Sequence, residues 1–324
     1  MYQVPFYSIP LFFTTQSNMD ILINIGIFVI SLGVLLKASD WFVESAEAIG
    51  LSFGISPFII GVTIVAFGTS LPELATSIAS VYGGASEIVV SNVIGSNITN
   101  IALVLGLTAV FVNNIRLRTN IWEIDMPFLW ASSLLLWLVL QDLHVSTFEC
   151  ILFLLGIVIF LTYSFKKGGK AEKSKRPKVS AKHYLLLVAG GILVWLSADY
   201  TIYAILNISE SMGIAPKLIS LSAVALGTSL PEVAVSLTAA KRGKASIAVG
   251  NVLGSNIFNT FFVMAIPGLL GNLVIPPDIL SFYLPLMIIM TLLFGIMFMD
   301  RRLSRIEGAI LLLFYLLFMG EVVS

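Results

Sequence analysis

The feature of this sequence that most constrains its fold is a segment that occurs twice. GTSLPE at residues 68–73 recurs at 227–232, and GSNI at 95–98 recurs at 254–257, both with an offset of 159 residues. Aligned at that offset without a gap, residues 66–100 and 225–259 are identical at 19 of 35 positions. Most of the shared residues are Gly, Ser, Thr, Asn, Pro or Glu, although 58% of the chain is hydrophobic. We therefore expect two related halves, each with one polar, helix-breaking segment.

The segments around these motifs are apolar enough to cross a lipid bilayer. Only 11% of the residues are charged, and the mean hydropathy is +1.00. Since a spanning helix needs about 20 mainly apolar residues, the sequence predicts an all-α integral membrane protein with ten transmembrane helices. These fall near residues 21–46, 57–81, 87–111, 122–140, 147–165, 183–206, 216–240, 246–270, 279–299 and 304–322.

The basic segment 166–182 is the predicted linker between the halves. It separates a first repeat at 21–165 from a second at 183–324, each with five helices, and an odd number of helices inverts the second repeat. Cytoplasmic loops are enriched in Lys and Arg. With a cytoplasmic linker, only Lys37 and Lys217 of the 18 Lys and Arg residues fall outside the predicted inner loops. We therefore expect both termini to be extracytoplasmic, in a plasma (inner) membrane.

The first 20 residues are predicted to be an extension before the first helix. They lack the basic region of a signal peptide, and their apolar patch is interrupted by Pro5 and Pro10. This segment is expected to be interfacial or disordered. Met19 is an alternative start of the protein.

The inversion would bring the two polar segments together from opposite sides of the membrane. A proline cannot donate the backbone hydrogen bond to the residue four positions before it. Pro72 and Pro231 therefore free the carbonyls of Gly68 and Gly227. Unsatisfied backbone at membrane depth is tolerated only when it is buried in protein or lines a polar cavity. The sequence thus predicts a cavity near the bilayer midplane.

The side chains of this cavity would be carboxylates, hydroxyls and amides. At helical spacing, four sets of residues share a face: Thr69, Glu73 and Ser77; Thr228, Glu232 and Ser236; Ser96 and Asn100; Ser255 and Asn259. Such oxygen ligands suit a hard cation, Ca²⁺ or Na⁺, rather than zinc or copper. One divalent cation would also neutralise Glu73 and Glu232, which are costly as buried charges. We expect no cofactor, no enzymatic activity and no nucleic-acid partner.

GTSLPE followed by GSN in two inverted halves resembles the repeats of the Ca²⁺/cation antiporter superfamily, and especially its sodium/calcium exchanger branch of the prokaryotic type. The resemblance covers nearly the whole chain, and SDWFV at 39–43 places Asp40 opposite Asp199 at the same offset. It implies exchange of three Na⁺ for one Ca²⁺ by alternating access, with the first and sixth helices sliding across the other eight. We expect Asp40 and Asp199 to be gate residues or helix-end anchors rather than ligands.

The resemblance also implies a ligand set. Ca²⁺ would be bound mainly by Glu73 and Glu232, with help from Thr69 and Thr228. Na⁺ would share those carboxylates and use further side-chain and backbone oxygens, with Asn100 and Asn259 as the central polar pair; these oxygens belong to Ser70, Ser229, Ser96, Ser255, Ala66 and Ala225.

Several alternatives remain at the level of sequence. Some relatives have Asp where this chain has Asn259, and potassium-dependent relatives use an acidic residue in that region, so two asparagines argue against K⁺ dependence. Proton-driven relatives usually show a GNAxE-like motif in place of GTSLPE, so the GTSLPE motif argues against a proton/calcium exchanger. A K⁺-dependent or H⁺-coupled antiporter of Ca²⁺ or another divalent cation is the second hypothesis. A cation channel is the third, but inverted halves favour an antiporter.

Overall fold

The computed structural model describes residues 18–112, 115–117, 120–123, 125–167, 177–211 and 227–323. These residues form a mainly helical bundle with one short two-stranded sheet. The helical segments are labelled in chain order: α1 (Asn18–Ser52), α2 (Pro57–Tyr82), α3 (Glu87–Val112), α4 (Asp125–Val139), α5 (Thr147–Lys167), α6 (Ala181–Ser211), α7 (Leu230–Lys241), α8 (Ala245–Leu270), α9 (Ile279–Met297) and α10 (Arg305–Val323).

Four of these segments are not uniform α-helices. α2 contains a π-helical turn at Gly61–Val65, then an α-helical turn at Ala66–Thr69, and restarts as Leu71–Tyr82 after Ser70. The other three segments have these parts: α3, Glu87–Thr99, the π-helix Asn100–Leu105 and Gly106–Val112; α8, Ala245–Phe258, the π-helix Asn259–Val263 and Met264–Leu270; α9, the π-helix Ile279–Tyr283 and Leu284–Met297. A 3-10 turn at Leu140–Asp142 extends α4. Because π-turns often mark functional sites, α2, α3 and α8 are of particular interest.

Seven described helices are long and apolar enough to cross a membrane: α1, α2, α3, α5, α6, α8 and α9. The protein is therefore a multi-pass membrane protein. α4 has 15 residues and α10 has 19, and both lie where the sequence predicts spans. The predicted span at 216–240 lies partly outside the described residues, as do most of the 1–20 extension and the centre of the 166–182 linker.

The connections between helices meet at two ends of the bundle. β1 (Ile115–Arg116), after α3, pairs antiparallel with β2 (Arg302–Leu303), before α10. At the opposite end of α3, the hydroxyl of Ser86 accepts a hydrogen bond from the backbone of Val274, in the α8–α9 connection. The α2–α3 and α8–α9 connections therefore share one end, and the α3–α4 and α9–α10 connections share the other.

The apolar core is divided in two. The larger cluster joins α2, α3, α4, α5, α8, α9 and α10. The smaller cluster joins α1 and α6 to α2, α7 and the start of α8, and many of its members are alanines: Ala38, Ala46, Ala198, Ala234, Ala239, Ala240 and Ala248. The helices α1 and α6 thus pack largely on each other and meet the bundle through small side chains.

The two halves approach most closely where α2 crosses α8. A Cβ added to Gly250 would lie 2.6 Å from the carbonyl oxygen of Phe58, and one added to Gly254 would meet the carbonyl oxygen of Val62. Glycine therefore permits backbone contact between the halves at this crossing. This contact places the first turns of α2, around Phe58 and Val62, beside the centre of α8.

Candidate cation site

In both halves a helix begins directly after the serine of the GTSLPE motif. Helical structure restarts after Ser70 (φ −87°, ψ 1°) and after Ser229 (φ −92°, ψ 0°). The sequence places the break at Pro72 and Pro231, but in the structure each break comes two residues earlier. Each proline lies in the first turn of the restarted helix, where its missing N–H costs no hydrogen bond.

These restarts position two carboxylates. Glu73 and Glu232 lie in the first turns of Leu71–Tyr82 and α7, and neither side chain is exposed to solvent. The positive end of a helix dipole favours an anion in the first turn. Both carboxylates therefore occupy a favourable position at the start of a helix. Among the described residues, none of their four oxygens has a hydrogen-bond partner.

The predicted hydroxyls make hydrogen bonds between the halves. The Thr69 hydroxyl donates to Asn251 Oδ1 at 3.1 Å and lies 3.4 Å from the Ser255 hydroxyl. In the mirror position, the Thr228 hydroxyl donates to Asn92 Oδ1 at 3.3 Å. It also lies 3.2 Å from the hydroxyl of Ser96. The structure therefore brings Thr69 to Ser255, and Thr228 to Ser96, across the boundary between the repeats.

Most of the remaining predicted ligands lie within the described residues and are buried there. The side chains of Ser70 and Ser229, and the amides of Asn100 and Asn259, have no hydrogen-bond partner among the described residues. Asn100 and Asn259 are the first residues of π-helices. The Ala66 carbonyl already accepts a bond of 3.0 Å from the Ser70 backbone, and Ala225 lies outside the described residues.

Sequence reasoning missed two residues of this site, Asn92 and Asn251. Both are buried in the structure and contact the predicted threonines. A signal was available, because they are identical at the 159-residue offset and lie four residues before Ser96 and Ser255. The sequence alone does not reveal that each contacts the opposite half.

The arrangement suits a dehydrated cation. Buried polar atoms normally have hydrogen-bond partners, but this pocket concentrates carboxylate, hydroxyl and amide oxygens that lack them. Oxygen is the ligand that Ca²⁺ and Na⁺ prefer. Among the described residues, no three His, Cys, Asp or Glu side chains group together as in a typical transition-metal site. The pocket is therefore chemically matched to a hard cation held by two carboxylates and neutral oxygens.

A cavity of about 340 Å³ leads to the pocket from the end of the bundle where α3 and α9 begin. Its outer wall includes Glu87 and Asp278, and its inner wall includes Asn92, Ser96 and Thr228. Acidic groups at an entrance attract cations. The cavity thus connects an acidic mouth to one edge of the site.

At the opposite end, ion pairs join α1 to the α7–α8 connection. Arg242 lies 2.7 Å from Asp40 and 3.1 Å from Glu44, and Lys244 lies 2.6 Å from Glu47. The hydrogen bond to Asp40 raises the pKa of the Arg242 guanidinium further above its ordinary value. Asp40 therefore joins α1 to the α7–α8 connection, and its role as a gate residue or helix-end anchor rather than a ligand stays a prediction.

The family model for the sodium/calcium exchanger protein matches residues 23–166 and 182–322. The chain belongs to this family. The sequence resemblance to the exchangers is thereby confirmed, and the match covers both predicted repeats.

Individual exchangers agree over nearly the full length of the chain. The sodium/calcium exchanger MaX1 of Methanosarcina acetivorans is 33% identical over 92% of this chain and 98% of its own. The putative antiporter CaxA of Alkalimonas amylolytica is 34% identical over 89% of this chain and 94% of its own. A solved structure of the sodium-calcium exchanger NCX_Mj, soaked with Na⁺ and Sr²⁺, matches with a TM-score of 0.81 and 32% identity. That match covers 93% of this chain and 98% of the other.

Proposed function

We propose that the protein is a secondary active antiporter that exchanges Na⁺ for Ca²⁺ by alternating access. The observation that carries this proposal is the pair of unexposed, unpaired carboxylates, Glu73 and Glu232, in a pocket of oxygen atoms. Two buried anions whose oxygens have no partner in the part of the chain that the structure describes need cations or protons. Because the relative MaX1 is a sodium/calcium exchanger, we infer that the two exchanged cations are Na⁺ and Ca²⁺.

We assign the bound Ca²⁺ to Glu73 and Glu232 together with Thr69 and Thr228. Na⁺ uses the same carboxylates with other oxygens of the pocket, which are those of Ser70, Ser229, Ser96, Ser255, Asn100, Asn259, Ala66 and Ala225. Shared carboxylates would make Ca²⁺ and Na⁺ compete for one pocket. Competition for a single site is what an antiporter requires.

We further propose ten transmembrane helices in two inverted repeats of five. In that topology the α3–α4 and α9–α10 connections are both cytoplasmic, and the α2–α3 and α8–α9 connections are both extracytoplasmic. The observed pairing of β1 with β2, and of Ser86 with Val274, supports this arrangement. The termini are then extracytoplasmic and the linker cytoplasmic.

The difference between the two ends of the bundle supports the proposal of alternating access. On the proposed outer side, the cavity reaches Thr228, whereas on the proposed inner side α1 is held to the α7–α8 connection by ion pairs. In the proposed orientation, we interpret this arrangement as an outward-facing state. The contact of α1 and α6 with the bundle is rich in alanine. Small side chains protrude little from a helix surface, so this contact would allow α1 and α6 to slide along the other helices.

The proposed stoichiometry has an electrical consequence. Two carboxylates with one Ca²⁺ are neutral, whereas two carboxylates with three Na⁺ carry one positive charge. Each cycle would therefore move one net charge, which couples to voltage at about 2.3 kcal/mol per 100 mV. An inside-negative potential would favour Ca²⁺ extrusion.

Uptake of ⁴⁵Ca²⁺ into proteoliposomes tests the counter-ion. Vesicles are loaded with Na⁺, with K⁺, or with neither at an imposed pH gradient, and are diluted into the same Na⁺-free medium. We expect rapid uptake only with internal Na⁺. Uptake that requires K⁺ or a pH gradient would instead support the K⁺-dependent or H⁺-coupled alternative, and uptake without any counter-ion would support a channel.

A further inference from the structure

We propose that Asn92 and Asn251 are positioning residues of the cation site, each of which holds the hydroxyl proton of the threonine ligand supplied by the opposite half. This inference rests on the proposed function. It adds a role for two residues that do not themselves have to touch the ion. It also explains how ligands from one repeat are oriented by the other.

A hydroxyl group can bind a cation only when its proton is directed elsewhere. A hydroxyl has one proton and two acceptor lone pairs, and only a lone pair can bind a cation. The proton must therefore be directed to another acceptor. In this structure the Thr69 hydroxyl donates to Asn251 Oδ1 at 3.1 Å, a shorter contact than the 3.3 Å to the Ala66 carbonyl.

The first half of the molecule repeats this arrangement. Asn92 Oδ1 accepts from the Thr228 hydroxyl at 3.3 Å and from Ser96 at 3.4 Å. A single amide oxygen thus receives the protons of two hydroxyls that lie 3.2 Å apart. With both protons directed away, the lone pairs of Thr228 and Ser96 are free to face a cation.

The amides themselves are fixed in orientation. The amide nitrogen of Asn92 donates to the Glu73 backbone carbonyl at 3.3 Å and to the Ser77 hydroxyl at 3.1 Å. Because a carbonyl cannot donate, the contact with Glu73 places the nitrogen there and the oxygen toward Thr228. Asn251 makes the equivalent bond to Ser236 at 3.0 Å.

Each asparagine therefore links a carboxylate helix of its own half to a threonine of the other. Asn92 joins the helix that carries Glu73 to Thr228, and Asn251 joins the helix that carries Glu232 to Thr69. Both asparagines are almost completely buried, so water does not substitute readily for the lost acceptor. Loss of an asparagine should therefore weaken Ca²⁺ binding through its own threonine, because Ca²⁺ is assigned to the threonines and not to Ser96.

A double-mutant cycle on the full-length protein tests this pairing. Calcium binding to purified protein in Na⁺-free detergent solution is measured by isothermal titration calorimetry for Thr69→Val, Asn251→Leu and the double variant. We expect Asn251→Leu to weaken binding about fivefold alone, the size of one buried hydrogen bond, and less than about twofold when Thr69 is already Val.

The crossed pair is the matched control. Thr69→Val combined with Asn92→Leu should give effects that multiply, because Asn92 acts through Thr228 instead. Effects that multiply in the matched pair as well would show a merely structural role and overturn the proposal. If Asn251→Leu does not yield monodisperse protein, the mirror cycle of Asn92→Leu with Thr228→Val applies the same criterion.

The wild-type titration separates the two levels of the account. Wild-type protein that does not bind Ca²⁺ would overturn the proposed function and this inference together. Wild-type protein that binds Ca²⁺, but shows no specific coupling between matched residues, would overturn this inference alone.

Discussion

Glu73 and Glu232 are the residues on which the proposed cation site depends. Each is unexposed, and neither carboxylate has a partner among the described residues. Replacing either by Gln removes half of the negative charge available to Ca²⁺. Since breaking a buried ion pair costs about 3–5 kcal/mol, we expect Glu73→Gln and Glu232→Gln each to weaken Ca²⁺ binding by more than about 100-fold.

The measurement is Na⁺-driven ⁴⁵Ca²⁺ uptake, with protein amount and monodispersity checked by size-exclusion chromatography. Glu123→Gln is the matched control, because it makes the same chemical change at an exposed position in the α3–α4 connection. Normal transport by both site variants would contradict the assignment of the site.

Single glycines decide how closely α2 and α8 pack. A Cβ at position 250 would lie 2.6 Å from the Phe58 carbonyl oxygen, whereas a Cβ at position 33 meets nothing within 4 Å. We expect Gly250→Ala to lower thermal stability by about 1–3 kcal/mol, a typical cost of overpacking, and Gly33→Ala to have little effect. Thermal unfolding in detergent compares the two, and equal stability would contradict the predicted close contact.

At the scale of helices, the contacts of α1 distinguish the two ends of the bundle. Asp40, Glu44 and Glu47 of α1 pair with Arg242 and Lys244. At the 159-residue offset, these acids correspond to Asp199, Tyr203 and Leu206, and the two bases to Gly83 and Ala85. The ion pairs therefore have no counterpart between the equivalent residues at the other end.

These partly exposed pairs are weak restraints. Each is worth about 0.2–1 kcal/mol, so together they bias a two-state equilibrium by roughly tenfold and do not lock it. We expect Arg242→Gln to increase the inward-facing population by about threefold to tenfold. Ion pairs of this strength suit an antiporter, because they must break in every transport cycle.

Thiol labelling at two mirror-related positions measures this shift. In a Cys150→Ala background, a cysteine replaces either Ile88, which lines the cavity, or Ile247, which is fully buried. Arg242→Gln should raise labelling at position 247 and lower it at position 88. Arg302→Gln is the control, because the ion pair of Arg302 with Asp300 lies within its own connection. Unchanged labelling in Arg242→Gln would exclude the proposed bias.

Helix positions and the polar motif could be predicted from the sequence, but the local geometry of the site could not. α2, α3 and α8 begin within a residue of the predicted spans, because apolar length and helix-breaking residues are local signals. The π-turns that begin at Asn100 and Asn259 are marked neither by apolar length nor by a proline in the sequence. For the same reason, the contacts of Asn92 and Asn251 with the opposite repeat were not foreseeable.

At the scale of the whole molecule, we propose that a single cation site is reached alternately from the two sides of the membrane. The cavity ends beside Thr228 of the second half, and the carboxylates beyond it are shielded from solvent. Because the site has two carboxylates, the protein with one bound Ca²⁺ and the protein with three bound Na⁺ would differ by one net charge. Transport must then respond both to the Na⁺ gradient and to voltage.

The most direct test is ⁴⁵Ca²⁺ uptake into Na⁺-loaded proteoliposomes with the membrane potential clamped at a series of values. Export of three Na⁺ for each Ca²⁺ imported removes one positive charge from the vesicle. The account therefore predicts that uptake requires internal Na⁺ and is faster at inside-positive potentials. Uptake that persists without internal Na⁺, or Na⁺-driven uptake that does not respond to voltage, would contradict electrogenic sodium/calcium exchange.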